Sequence, residues 1–355
     1  MINNVDLIET LFFSRKKEEL IQFEERNKVK PFDFCCLNGV QISEKIKQNI
    51  TSYSSYYDIL TDYSYINLSS NLPFSQEEEE EEEDFINSTQ KHVLIKYNDQ
   101  NCIDFYSFIL NLPTPKLLIF HIIDSYSYLI KSLLLLNTNN ILFFNVTAEK
   151  ILFDSTSLKP LLHNFEYCLY IPNLNNDYLC KIVDKMDDFS NMPLEVHVIF
   201  YLIKNNENTL SYSIITEICD NFVKNIRVLG LFSQTYRDNF KTLCIEILKK
   251  YINIPKKDII ANILTFSSTW DNYGVSILFL EIVGNLSRVF SLKDNFMSKF
   301  SILLSKNINP IPSKREKLNE TLNKYNKLFI EYPDWSFINS ISDEKMDLLM
   351  EKLLN

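Results

Sequence analysis

Apolar positions are spaced differently in the two parts of this chain. Short apolar segments with a strand-like pattern are concentrated in the first half, while recurrence at every third or fourth residue, the helical spacing, dominates the second. Residues 1–30 hold one short apolar run, "VDLIETLFF", and are expected to form a helix and its exit. From Phe32, "FDFCCLNGVQISEKIKQNI" predicts a strand, a turn at Asn38-Gly39 and a short helix capped by Ser43. The Tyr- and Ser-rich residues 51–68 suit strands, as does "KHVLIKYN" (Lys91 to Asn98). "CIDFYSFILNL" predicts a short helix. "KLLIFHIIDSYSYLIKSLLLLN" then keeps apolar side chains at helical spacing over 22 residues, which marks a core helix ending at "NTNN".

From Pro193 the pattern is helical: "PLEVHVIFYLI", "LSYSIITEICDNFVKN" and "NFKTLCIEILKKYINI", then "KDIIANIL" after Pro255. "WDNYGVSILFLEIVGNLSRVF" (Trp270 to Phe290) is apolar enough to lie deep in the core, and helices are expected around Phe296–Leu304, Glu316–Tyr332 and Asp343–Leu354. The order predicts an α+β chain. A small α+β lobe (1–98) joins a mainly helical one (99–355), with the boundary between Asn98 and Asp104.

At 355 residues, with 46% apolar and 13% aromatic side chains, the chain can bury a substantial core. A net charge of -10 argues against a dominant basic surface, so nucleic acid is not an expected partner. Part of that charge is the run Glu77 to Glu83 with Asp84, which repels itself and predicts a solvated acidic insertion around 76–88. The seven cysteines lack metal-ligand spacing, Cys35 and Cys36 being adjacent rather than a CxxC, and no signal peptide is recognisable, so a reducing, cytoplasmic setting is expected. The four histidines form no HExxH, so no metal site is predicted. Apolar runs break short of the roughly 18 residues of a membrane span, and none is expected. No two of the four glycines (39, 230, 274, 284) lie closer than ten residues, which excludes a glycine-rich phosphate loop.

The chemistry-bearing stretch is Asn140 to Ile171, "NILFFNVTAEKILFDSTSLKPLLHNFEYCLYI". Its order of strand, loop, hairpin and "xFx" tripeptide resembles the catalytic loop of protein kinases, in which H-R-D-x-x-x-x-N precedes D-F-G. "FFNVTAEKILFD" and "TWDNYGVSILFLEI" are similar to the HFDLKxENILFD and WDNYxxS landmarks of kinase-like proteins encoded by large DNA viruses. The resemblance covers roughly Ile95 to Phe329 and implies a two-lobed protein-kinase-like fold with a reduced small lobe and an enlarged, mostly helical large lobe. It implies that Asp271 holds the loop backbone near residues 143–145, and that Glu195 of "PLE" pairs with Arg315. It sets Asn145 where a catalytic aspartate would stand, Thr147 at the loop lysine, Lys150 at the metal-binding asparagine, and Asn164-Phe165-Glu166 in place of Asp-Phe-Gly. About 75 residues separate Glu195 from Asp271, so residues 196–260 are an insertion relative to that family. No lysine is assigned to the small-lobe strand position; Lys96 of "VLIKY" suits an ordinary lysine better.

Phosphoryl transfer needs an oriented hydroxyl that can lose its proton, and metal ions bridging the phosphates. Asn145 cannot take that proton, Asn164 is a neutral ligand where magnesium favours a carboxylate, and Lys150 puts an ammonium where an ion would sit. The expectation is a catalytically inactive kinase-like protein, a scaffold or interaction module for an unidentified protein partner, in host cytoplasm or a viral factory or packaged in a virion. No cofactor is expected, or else ATP held without magnesium through Lys150 and Glu166. The alternatives are an unorthodox phosphotransferase and an unrelated helical structural protein. In the plainer reading of the site, Lys150 points to solvent, Glu166 caps a turn, and Phe143, Phe144 and Phe165 pack the cleft shut.

Overall fold

A computed structural model describes residues 27–68, 90–97, 101–289, 293–336 and 338. The expected N-terminal helix up to residue 26, the acidic run and the helix near Asp343–Leu354 lie outside the described residues.

Strand β1 (Asn27–Pro31) leads directly into helix α1 (Phe34–Asn49). Residues 27–31 are thus a strand, not the exit of a helix, and the expected turn at Asn38-Gly39 and cap at Ser43 are replaced by one continuous helix. The cap lies ten residues earlier: the Asp33 side chain accepts from the Cys36 amide at 2.8 Å, satisfying a donor that would otherwise be orphaned. Asn38 and Gly39 look like turn residues in sequence but serve a tertiary contact. The Asn38 side-chain amide donates to the carbonyls of Glu166 and Cys168, at 2.9 Å each. A Cβ on Gly39 would meet Glu166 Cγ at 3.0 Å and its Cα at 3.3 Å, so a larger residue would have to push the 164–168 segment back by a few tenths of an ångström.

Strands β2 (Tyr57–Asp58), β3 (Leu60–Leu68) and β4 (Gln90–Tyr97) follow. β4 lies between β1 and β3, antiparallel to both. Next come β5 (Cys102–Asp104), α2 (Phe105–Leu110), the long α3 (Pro115–Thr138), β6 (Ile141–Leu142), β7 (Ile151–Asp154), β8 (Pro160–His163) and β9 (Leu169–Tyr170). β7 and β8 form a hairpin in a second sheet of order β2-β8-β7-β5, and β6 pairs with β9 across the loop they bracket. The rest is helical: α4 (Asn176–Asp184), α5 (Leu194–Lys204), α6 (Tyr212–Asn225), α7 (Gln234–Leu248), α8 (Lys256–Leu264), α9 (Trp270–Val289), α10 (Phe296–Asn307) and α11 (Leu318–Glu331). The chain is of mixed α+β class.

Helix α3 is the axis of the core. Leu129, Leu133 and Leu136 are fully buried, each contributing about 1.5–3 kcal/mol. Tyr57 and Tyr325 donate their hydroxyls to its Ser132 and Ile123 carbonyls, both at 2.7 Å. Lys116–Thr138 is long and apolar enough to cross a membrane by length and composition alone, but 56% of that window is buried within the protein, consistent with the expected core helix and with no span. Helix α1 joins two clusters. Cys36 and Val40 pack with Leu60, Val93 and Ile95 of the three-stranded sheet, whereas Cys35, Ile42 and Ile46 belong to the main core.

Candidate functional site

The site is built where β6 delivers the chain to residues 143–150 and β8 delivers it to residues 164–168. The first turn of α9 organises both the first of these loops and the start of α5. Asp271, fully buried, accepts from the amides of Phe143 (3.0 Å) and Phe144 (2.8 Å). These donors lie where the sequence resemblance set them. Phe144 has φ 74°, a left-handed conformation costly for a bulky side chain, and the Asn145 amide turns back to the Phe143 carbonyl at 3.0 Å. Asp271 therefore holds a strained turn in place. Burial pushes its carboxyl up to about 6, against the two amides and the Lys150 charge, which pull it down.

The preceding residue ties down the first turn of α5. Trp270 Nε1 donates to Glu195 Oε1 at 3.0 Å, and Arg315 Nη2 donates to the same oxygen. The Glu195–Arg315 pair is buried and incompletely satisfied: Glu195 Oε2 and Arg315 Nε and Nη1 have no partner.

Between these anchors sit the chemically suggestive residues. Asn145 donates to the Asp188 carbonyl at 3.1 Å, and its Oδ1 is buried without a partner. Thr147 begins a short turn and accepts, through its carbonyl, from the Lys150 amide at 3.1 Å; its side chain caps nothing. Lys150 does not point to solvent. It is 8% exposed, its Nζ is unpartnered, and it lies 5.7 Å from the Phe143 ring and 5.2 Å from that of Tyr167. Burial lowers its pKa to about 8, opposed by Cys168, Glu166, Asp188 and Asp271. Asn164 is left-handed (φ 61°), with Oδ1 also buried and unpartnered.

Glu166 does not cap a turn; its carboxylate forms an ion pair with Lys30 of β1. Sequence reasoning missed Lys30, since residues 27–31 were read as the end of a helix and the partner lies 136 positions away. Its signal was a lysine just before the Asp33 helix cap. The aromatics close the site: Phe143 meets Phe165 edge-on at 5.6 Å, Phe165 meets Tyr57 at 6.0 Å, and Phe144 lies 5.5 Å from Trp270.

Comparison with known protein families finds no matching family model, and comparison with curated proteins finds no match.

Proposed function

We propose that this chain is a catalytically inactive, protein-kinase-like protein that acts as a protein-interaction module. Several features support the reading. β1 runs into α1 as a kinase small-lobe strand runs into its helix, and β6 and β9 pair around a loop gripped by a buried aspartate. On this reading Lys30, on the strand that leads into α1, is a candidate for the small-lobe lysine that the sequence left unassigned, although its partner is Glu166 and not a helix glutamate. The insertion, residues 196–260, would supply surface for a protein partner.

The observation that carries the proposal is Lys150: a buried ammonium without a partner lies in the loop that Asp271 holds in shape. Two neutral amides and a cation are a donor set that does not fit a magnesium ion. Asn145, tied to the Asp188 carbonyl, orients without accepting a proton. No transfer step is therefore assigned to these residues.

Calorimetry of the full chain with ATP, with and without magnesium, tests the proposal. The expected result is no magnesium-dependent binding and no phosphotransfer; magnesium-dependent affinity overturns it. The bare ammonium favours one variant, metal-free nucleotide binding. Binding without magnesium that disappears in Lys150→Ala would establish that variant.

A further inference from the structure

We propose that a cavity between α6 and α7 binds a phosphate monoester, whose dianionic group is held by Arg227 and Arg237. The inference is independent of the kinase-like reading. The cavity measures about 430 Å³, within the range of about 300–1,000 Å³ that small-molecule clefts occupy. Its walls come from the C-terminal half of α6, the turn that follows it and the first turns of α7. Ile226 and Leu229, both buried, form with Val223 an apolar side that can cover the organic body of an ester.

The charged side chains around the cavity select the ligand. Lys224, Arg227, Arg237 and Lys241 line it against Asp220 and Asp238, an excess of two positive charges. All four cations are at least partly exposed, so a ligand reaches them from solvent. The two carboxylates are already engaged. Asp220 forms an ion pair with Lys241, and Asp238 accepts from the Gln234 side-chain amide at 2.7 Å. Gln234 in turn accepts from Arg237 Nη2 at 2.5 Å, so the charge of that guanidinium meets only a neutral oxygen. Among the described residues, Lys224 and Arg227 make no hydrogen bond or ion pair. Glu281 of α9 feels the Arg227 charge without forming an ion pair with it. A phosphate monoester carries about −1.5 to −2 charges near pH 7 and three acceptor oxygens, which match the excess charge and the planar forks of two arginines. A carboxylate brings roughly half of that charge.

A phosphorylated small molecule and a phosphoserine side chain on a docked protein share this chemistry. The test titrates the full chain calorimetrically with phenyl phosphate, benzoate and a short phosphoserine peptide. Saturable binding of phenyl phosphate that weakens with added salt is expected, with benzoate binding roughly fivefold more weakly for want of the second charge. Arg227→Gln and Arg237→Gln should each lower the affinity roughly tenfold through the loss of a charge-assisted hydrogen bond. Lys257→Gln removes an exposed charge outside the cavity walls and should leave the affinity within about twofold. Binding of the phosphoserine peptide as well points to a protein-borne phosphate; binding of phenyl phosphate alone points to a free ester. The proposal is overturned if protein shown to be folded by circular dichroism does not bind phenyl phosphate saturably, if benzoate binds as tightly, or if both arginine variants behave as Lys257→Gln does.

Discussion

Two neighbouring residues at the head of α9 hold two distant segments, Trp270 through Glu195 and Asp271 through Phe143 and Phe144. Removing one member of a buried ion pair strands the other, so Arg315→Met should destabilise the protein by about 3–5 kcal/mol in urea unfolding. The double variant Glu195→Gln/Arg315→Met should recover part of that loss, because no uncompensated charge remains. Lys150 has the opposite sign. Its pKa falls from an ordinary 10.5 to about 8, so between these values the folded state binds fewer protons than the unfolded one, and stability rises with pH. The penalty is complete below pH 8 and amounts to about 3 kcal/mol at about 1.4 kcal/mol per unit. Lys150→Met should therefore stabilise the protein at pH 7 and flatten the rise between pH 8 and 10.5, as read from urea midpoints across that range. Destabilisation by more than about 1 kcal/mol at pH 7 would mean that the amine has a partner, and would sink this account.

Among the elements, α1 shows best what sequence could and could not reveal. The 3.6-residue pattern alone placed α3 and α9 close to their observed limits, because those helices are buried along most of their length and their apolar residues declare it. The hairpin of β7 and β8 was legible for a related reason: short apolar segments flank a polar turn. In α1 the local cues of Asn38-Gly39 were real, but they answered to the 164–168 segment, which no local window contains. Asp271, Glu195 and Arg315 were legible through the resemblance of "TWDNYGVS", "PLE" and "SKREKL" to kinase-like landmarks, with the cost of a carboxylate at the head of an apolar helix adding weight to Asp271; Lys30 was not, since its significance lies in what surrounds it in space. Gly39→Ala should cost stability despite the better helix propensity of alanine, because its Cβ would lie 3.3 Å from the Glu166 backbone Cα. Gly230→Ala, with nothing within 4 Å, is the control and should be near neutral. Urea midpoints of the two variants check both expectations.

At the level of the whole molecule, α1 belongs to the core of the three-stranded sheet on one face and to the main core on the other. The described parts should therefore unfold together. Far-ultraviolet circular dichroism and tryptophan fluorescence are expected to give coincident urea transitions, and an early separate loss of strand signal would contradict this.

The Lys30–Glu166 pair also has an evolutionary consequence. On the proposed reading, β1 still carries the lysine through which an ancestral enzyme would have gripped a phosphate, but Glu166 now neutralises it. Reinstating a lost catalytic side chain at Asn145 or Asn164 would not free that lysine. Removing Glu166 alone would leave Lys30 without its ion-pair partner and take away one of the carboxylates that favour the charged form of Lys150. On that reading, freeing Lys30 would require a change at Glu166 together with changes at Asn145 and Asn164, so no single substitution would give the site both a free lysine and a carboxylate for a metal ion.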